Sequence, residues 1–278
     1  MPIYEQGYRR YEARGALRTL RFWPITREAL KLLAGRRAFL LLIGASWLQF
    51  AGRVVQLLVV SRFPDAARVA PIDGRLFGDF LNQQVFWVLL VSTFAGAGLV
   101  ANDLRTGAIL VYLARPLTRR DYILGKLGVL LALNLGITLV PGLLLYAVGL
   151  GLASERYLEW GQAWIAPAIV LQSIAISAAI GLLALAVSSL SRSARVAALS
   201  FFGLVFGLQV VQGILVRIVR AEWATPLSPW ANLEALAARL FDLPAQADPR
   251  VAALALALVM AASLLVLRAR VRAVEIVR

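Results

Sequence analysis

Few side chains in this sequence can do chemistry, and the missing types exclude more than the present ones offer. Histidine and cysteine are both absent. Their absence removes the commonest general base, the commonest metal ligand, the thiolate nucleophile and any disulfide. Gly125–Lys126 lacks the preceding Gly-x-x-x-x spacing and the following Ser/Thr of a phosphate-cradling loop. What does recur at regular spacing is polar rather than catalytic. Ser46, Gln49, Arg53 and Gln56 follow 3–4–3 steps and so share one helix face. Gln209 and Gln212 form a shorter stripe, and Gln172, Ser173 and Ser177 a third. Such groups can line a route or bond neighbouring helices, but they are no hydrolytic set.

The elements that position these residues follow from composition. Of 278 residues, 60% are apolar and 16% charged, against about 45–50% and about 25% in a soluble domain. Apolar stretches run over Ala38–Val60, Gln84–Ala101, Tyr122–Leu152, Trp164–Leu190, Val196–Val216 and Val251–Leu267. Each approaches or exceeds the ~20 residues that cross a hydrocarbon core, and only a helix satisfies its own backbone there. The expected fold is an all-α integral membrane protein with six spans. Residues 1–37 form an N-terminal interfacial segment and 38–278 a single membrane domain. Arg53 then lies roughly 21 Å into the first span at 1.5 Å per residue, a depth at which a charge is normally turned to protein or water. Hydrogen bonding between helices, with Arg53 snorkelling outward, would satisfy the same residues.

The net charge of +14 is distributed asymmetrically. The leading segment, the 2–3 and 4–5 connections and the tail hold 20 of the 29 Lys/Arg. The positive-inside rule therefore places both termini in the cytoplasm, which accounts for the charge without nucleic acid as a partner. Within the leading segment, Pro24 suits a first helical turn. Ile25, Ala29, Leu32 and Leu33 alternate with Arg27, Glu28, Lys31, Arg36 and Arg37, the pattern of an elbow helix lying among membrane lipids. Between spans five and six, Ser228-Pro229 reads as a cap and first turn. Trp230, Leu233, Leu236, Ala237, Leu240 and Phe241 then share a face, predicting a short outer interfacial helix. Trp223 and Trp230, with Tyr157, Trp160 and Trp164, fit an aromatic belt. Pro141-Gly142 predicts a kink in the third span. Gly203 and Gly207, like Gly96 and Gly98, predict close helix packing.

The 2–3 connection, ANDLRTGAILVYLARPLTRRDYILGK over 101–126, is the most informative stretch. It mixes charge with the apolar Ile109, Leu110, Val111, Tyr112 and Leu113, more than a solvated loop needs. Asp103 is expected to start a short helix and Gly107 to permit close backbone approach. Pro116 should end the element, with Thr118 and Asp121 capping the next helix. Asp103-x-x-x-Gly107, then Leu113-x-Arg115-Pro116-Leu117-Thr118-Arg119, then Gly125-Lys126, resembles the cytoplasmic coupling segment of ABC-2-type transporter permeases. Asn102 stands where that family often has a second acid, and Ala108 where Thr usually follows the Gly.

The resemblance implies the transmembrane subunit of a bacterial ABC exporter, in the cytoplasmic (inner) membrane of a prokaryote. A cytoplasmic coupling helix between spans two and three would seat in a separate ABC ATPase subunit. Asp103, Arg105, Gly107, Leu113, Arg115, Pro116, Arg119 and Arg120 are its coupling residues, and Ser191–Arg195 is a second contact candidate. ATP and Mg would be bound by the ATPase, with no cofactor or metal on this chain and no catalysis by it. A second permease subunit, identical or paralogous, would pair with it. Gln49, Arg53, Gln56, Gln209 and Gln212 would then line the route or that interface. Three other readings stay open. A gradient-driven secondary transporter usually shows repeats and membrane carboxylates, and no acid lies well inside a span. A membrane enzyme has only a serine–lysine option, with Lys31 and Lys126 both cytoplasmic. A non-transporting ATPase partner in maturation of an extracytoplasmic protein shares every sequence feature.

Overall fold

A computed structural model describes residues 22–63, 73–108, 117–152, 163–244 and 247–271. Among the described residues every regular element is helical. A short α1 (Trp23–Ala34) precedes the spans α2 (Arg37–Arg62), α3 (Gly74–Thr106), α4 (Arg119–Leu152), α5 (Ile165–Leu190) and α6 (Ala194–Arg217). A 3-10 turn at Glu222–Leu227 and a short α7 (Pro229–Leu240) lead into the last span, α8 (Pro249–Arg270). Six of these helices are long and apolar enough to cross a membrane.

The spans are not equivalent. In their most apolar windows α3 and α5 are 67% buried, whereas α2 is 11% and α6 17% buried, so α3 and α5 form the axis and α2 and α6 the flanks. Lipid tails are as apolar as leucine, so axis helices gain little from hydrophobicity alone and are held by close packing and hydrogen bonds. Phe80, Leu81, Val85, Leu89, Ile169, Ile176, Ile180 and Leu185 supply the packing, all completely buried. Gly96 lets α3 meet Leu130 and Ala184, where an added Cβ would lie 3.2 Å from each.

Polar pairs then fix the register. Buried Ser92 and Asn134 bond each other across α3 and α4, at 3.3 Å from the hydroxyl and 3.1 Å from the amide. Ser188 of α5 donates to the Ala97 carbonyl of α3 at 2.7 Å. It also accepts from the backbone N–H groups of Val100 and Ala101, at 3.2 and 3.1 Å. One hydroxyl thus occupies the helical rung between Ala97 and Ala101.

Several expectations change in detail. α3 begins about three turns before the apolar stretch it contains, because Arg75, Asp79, Asn82 and Gln83 belong to the helix. It also runs past Ala101 to Thr106, so Asp103 lies in its last turn instead of opening a new helix. Gly107 caps that end with φ +69°, and an added Cβ would meet open space. Its demand is therefore conformational, a left-handed residue after a helix, and not close approach. α4 continues as one helix through Pro141, and Gly142 admits Ile169 to within 2.9 Å of where a Cβ would stand. Gly203 and Gly207 have no neighbour within 4 Å of an added Cβ. The close packing expected of them is not made within this chain.

Candidate functional site

The end of the bundle that carries α1 is built from the motif residues themselves. Asp103, in the last turn of α3, meets Lys126 of α4 at 2.7 Å, with side-chain exposures of 16% and 7%. The buried Tyr122 hydroxyl donates to the same Asp103 oxygen at 2.8 Å, and the Lys126 ammonium lies 5.5 Å from the Tyr122 ring centre. Breaking a buried ion pair by removing one partner costs about 3–5 kcal/mol, because the other charge stays behind. Asp103 and Lys126 therefore clamp the two helices flanking the 2–3 connection.

One residue earlier, Gly125 receives α1. A Cβ there would come within 2.9 Å of Ile25, and one at Gly128 within 2.8 Å of the Thr26 hydroxyl. Thr26, 2% exposed, donates to the Gly125 carbonyl at 2.8 Å. The pair of glycines makes a notch on α4 into which α1 lays Ile25, Thr26 and Leu33, all buried. Leu32, read from sequence as part of the apolar face, is 72% exposed. Thr26 takes its place on the packed face, a substitution that polarity concealed.

Thr118 and Asp121 form the expected reciprocal cap of α4. The Thr118 N–H donates to the Asp121 carboxylate at 2.9 Å, and the Asp121 N–H to the Thr118 hydroxyl at 3.2 Å. Around this anchored frame Arg105, Arg119, Arg120, Arg192 and Arg195 are exposed. Ala194 is also close to α3, 3.7 Å from a Cβ placed at Gly98, so the 4–5 connection joins the same end. Leu113, Arg115 and Pro116, the 109–113 cluster, Tyr157 and Trp160 lie outside the described residues.

The stripe on α2 is brought together and given a partner that spacing did not reveal. Arg53 donates to Gln56 at 2.9 Å and to Gln83 of α3 at 3.3 Å, while Gln49 donates to the same Gln83 oxygen at 3.0 Å. Buried Gln84 bonds the Ser46 carbonyl at 3.2 Å. Arg53, Gln49 and Gln56 are half-buried and Gln83 exposed, so the stripe faces outward along the α2–α3 seam. Gln83 stood just outside the apolar stretch assigned to the second span, which hid its role.

Gln209 and Gln212 do not join that stripe. They face a cavity of about 710 Å³ at the opposite end, between α3, α6 and α7. Ser228 donates to Gln209 at 2.7 Å while its oxygen caps α7 by accepting from Trp230 and Ala231. Leu233, Ala237 and Phe241, on the apolar face expected at the outer interface, are buried, and Gln172 of α5 holds α7 by its Leu233 carbonyl at 2.9 Å. The outward turns carry charge. Glu234 is exposed and lines the cavity. Desolvation by the protein packed beside it raises its carboxyl above the usual range, while the Arg217 guanidinium pulls it partway back.

Six apolar spans, an outward polar seam and a basic end braced by an ion pair define a helical, multi-pass membrane protein. Residues 77–269, more than half the chain, match the family described as ABC-2 family transporter protein. The chain belongs to that family: it is a multi-pass transmembrane permease of an ABC transporter, a family that associates with ABC ATPase partners. No curated protein matches it. α1 and α2 precede the matched region.

Proposed function

We propose that this chain is the export permease of an ABC-2 transporter, driven by ATP hydrolysis on a separate ATPase subunit seated against its α1 end. The observation that carries this reading is the frame at that end. The buried Asp103–Lys126 pair and the Thr26–Gly125 bond tie α3, α4 and α1 together, so a push on the 2–3 connection is transmitted to all three. Exposed Arg105, Arg119 and Arg120, with Gly107 setting the chain direction, are the docking residues, and Arg192 and Arg195 extend them. Within this frame Asp103 braces the docking surface instead of touching the ATPase.

The positive-inside bias supports a cytoplasmic position for that end, with α1 as the elbow helix and α7 as the outer interfacial helix, and the family resemblance supports a prokaryotic inner membrane. A second permease subunit covers the outward seam of Gln49, Arg53, Gln56 and Gln83. A charge and amides along a span facing bare lipid would be costly, and protein or water on that side relieves them. Tilting of the spans between two such subunits would switch access from one membrane face to the other. ATP and Mg belong to the ATPase, and this chain binds no cofactor and catalyses no step itself.

The test is co-purification from the native membrane in mild detergent. A stoichiometric ATPase subunit should accompany the wild-type chain and be lost from Arg119→Glu/Arg120→Glu, which stays folded and inserted. Recovery of homogeneous protein with no ATPase would sink the proposal.

A further inference from the structure

The cavity under α7 contains charges that the transport reading does not use. Arg75 and Asp79 enter it from the first turns of α3, Arg217 from the last residue of α6, and Glu234 from α7. Among the described residues none of these four closes an ion pair within 4 Å. Asn82 Oδ1, in the same wall, is buried with no hydrogen-bond partner, and Gln212 is only 8% exposed. The volume, about 710 Å³, is of the size that holds a small molecule.

The other wall is apolar and continuous with the outside of the bundle. Val210, Ile214 and Ile218 line the cavity and are 46%, 47% and 75% exposed. An occupant would thus find charges of both signs beside an open apolar strip running down α6. A purely anionic ligand would meet Asp79 and Glu234, and a purely cationic one Arg75 and Arg217. Like charge on the cavity wall disfavours an occupant and opposite charge favours it, so the mixed lining selects by the difference. A group with a phosphate and an ammonium satisfies both pairs, and acyl chains satisfy the strip. The charged residues stand at span ends, the depth at which headgroups lie.

We infer that this cavity is a binding site for a zwitterionic phospholipid, its phosphate held by Arg75 and Arg217, its ammonium by Asp79 and Glu234, and its chains along α6. The inference rests on the spans lying in a bilayer and not on ATPase coupling, so loss of ATPase capture leaves it standing and loss of lipid leaves the coupling proposal standing.

The full-length protein is equilibrated with mixed micelles holding equal phosphatidylethanolamine and phosphatidylglycerol, then gel-filtered, and retained lipid is quantified by mass spectrometry. Phosphatidylethanolamine should be enriched severalfold. The enrichment should fall about fivefold or more in Glu234→Gln and in Arg217→Gln, the loss expected from one charge-assisted hydrogen bond. Soluble glycerophosphoethanolamine should compete poorly because it lacks the chains. If Glu234→Gln loses its monodisperse peak, Asp79→Asn makes the same test. Equal retention of the two lipids, retention unchanged in folded variants, or full competition by the soluble headgroup would each overturn the inference.

Discussion

The two ends of the bundle handle charge in opposite ways. At the α1 end Asp103 and Lys126 are closed on each other at 2.7 Å and both are mostly buried. At the α7 end Arg75, Asp79, Arg217 and Glu234 surround open volume and close no ion pair within 4 Å among the described residues. A closed buried pair resists separation of the helices that carry it, because each charge would be stranded. Charges around a cavity place no such constraint on their helices and remain available to a third body. The first end is built to transmit displacement and the second to receive something. The stability of the chain should therefore be far more sensitive to charge removal at the first.

The largest effect should come from Lys126→Met, which leaves Asp103 stranded and should destabilise the fold by about 3–5 kcal/mol. Thermal unfolding in detergent measures this. Asp103→Leu/Lys126→Met should recover much of the loss, and a double variant no more stable than the single would show that the pair is not the clamp. Next, Gly128→Val forces α1 out of its notch, with an overpacking cost of about 1–3 kcal/mol. Because the chain has no cysteine, a pair introduced at Ala29 and an α4 position facing it can be cross-linked. The yield should drop in Gly128→Val while α4 stays inserted.

Ser228→Ala sharpens the comparison from the other end. It removes the α7 cap, at about 1 kcal/mol, and leaves Gln209 without its donor. The unfolding midpoint should fall slightly, and proteolysis near α7 should accelerate. Smallest of all is the pH response of Glu234. Its carboxyl is raised in the folded protein, so the folded state takes up the proton more readily than the unfolded chain. Folding is therefore favoured as pH falls through the folded value toward the ordinary carboxylate range, and disfavoured as pH rises through it. Glu234→Gln should flatten that part of the stability–pH curve, and a curve identical to wild type would show that Glu234 is fully solvated.

The sequence made the spans legible because a membrane forces long apolar runs, and the runs appear as α2 to α6 and α8. Thr118–Asp121 and Ser228-Pro229 were legible because a cap is local, confined to neighbouring residues. The misses share a different cause. Thr26, Gln83 and Ser188 act through residues 99, 30 to 34 and roughly 90 positions away in the chain, and no local pattern records such a partner. Asp103 and Lys126 were both conspicuous, yet their pairing requires the antiparallel register of α3 and α4, which Gly96 and the Ser92–Asn134 contact help to set. Gly107 was noticed for being glycine, but only its φ tells a helix cap from a packing contact.

The hydroxyl of Ser188 gives α3 an unusual freedom. An ordinary membrane helix that opens one rung leaves an amide and a carbonyl bare in a medium without water, a loss large enough to keep such helices straight. At Ala97 and Ala101 both groups already have a second home on a neighbouring span. The rung between Ala97 and Ala101 can therefore open without stranding either of its own polar groups. One of the two axis helices of the bundle thus carries a doubly satisfied rung less than two turns from the end that the clamp holds.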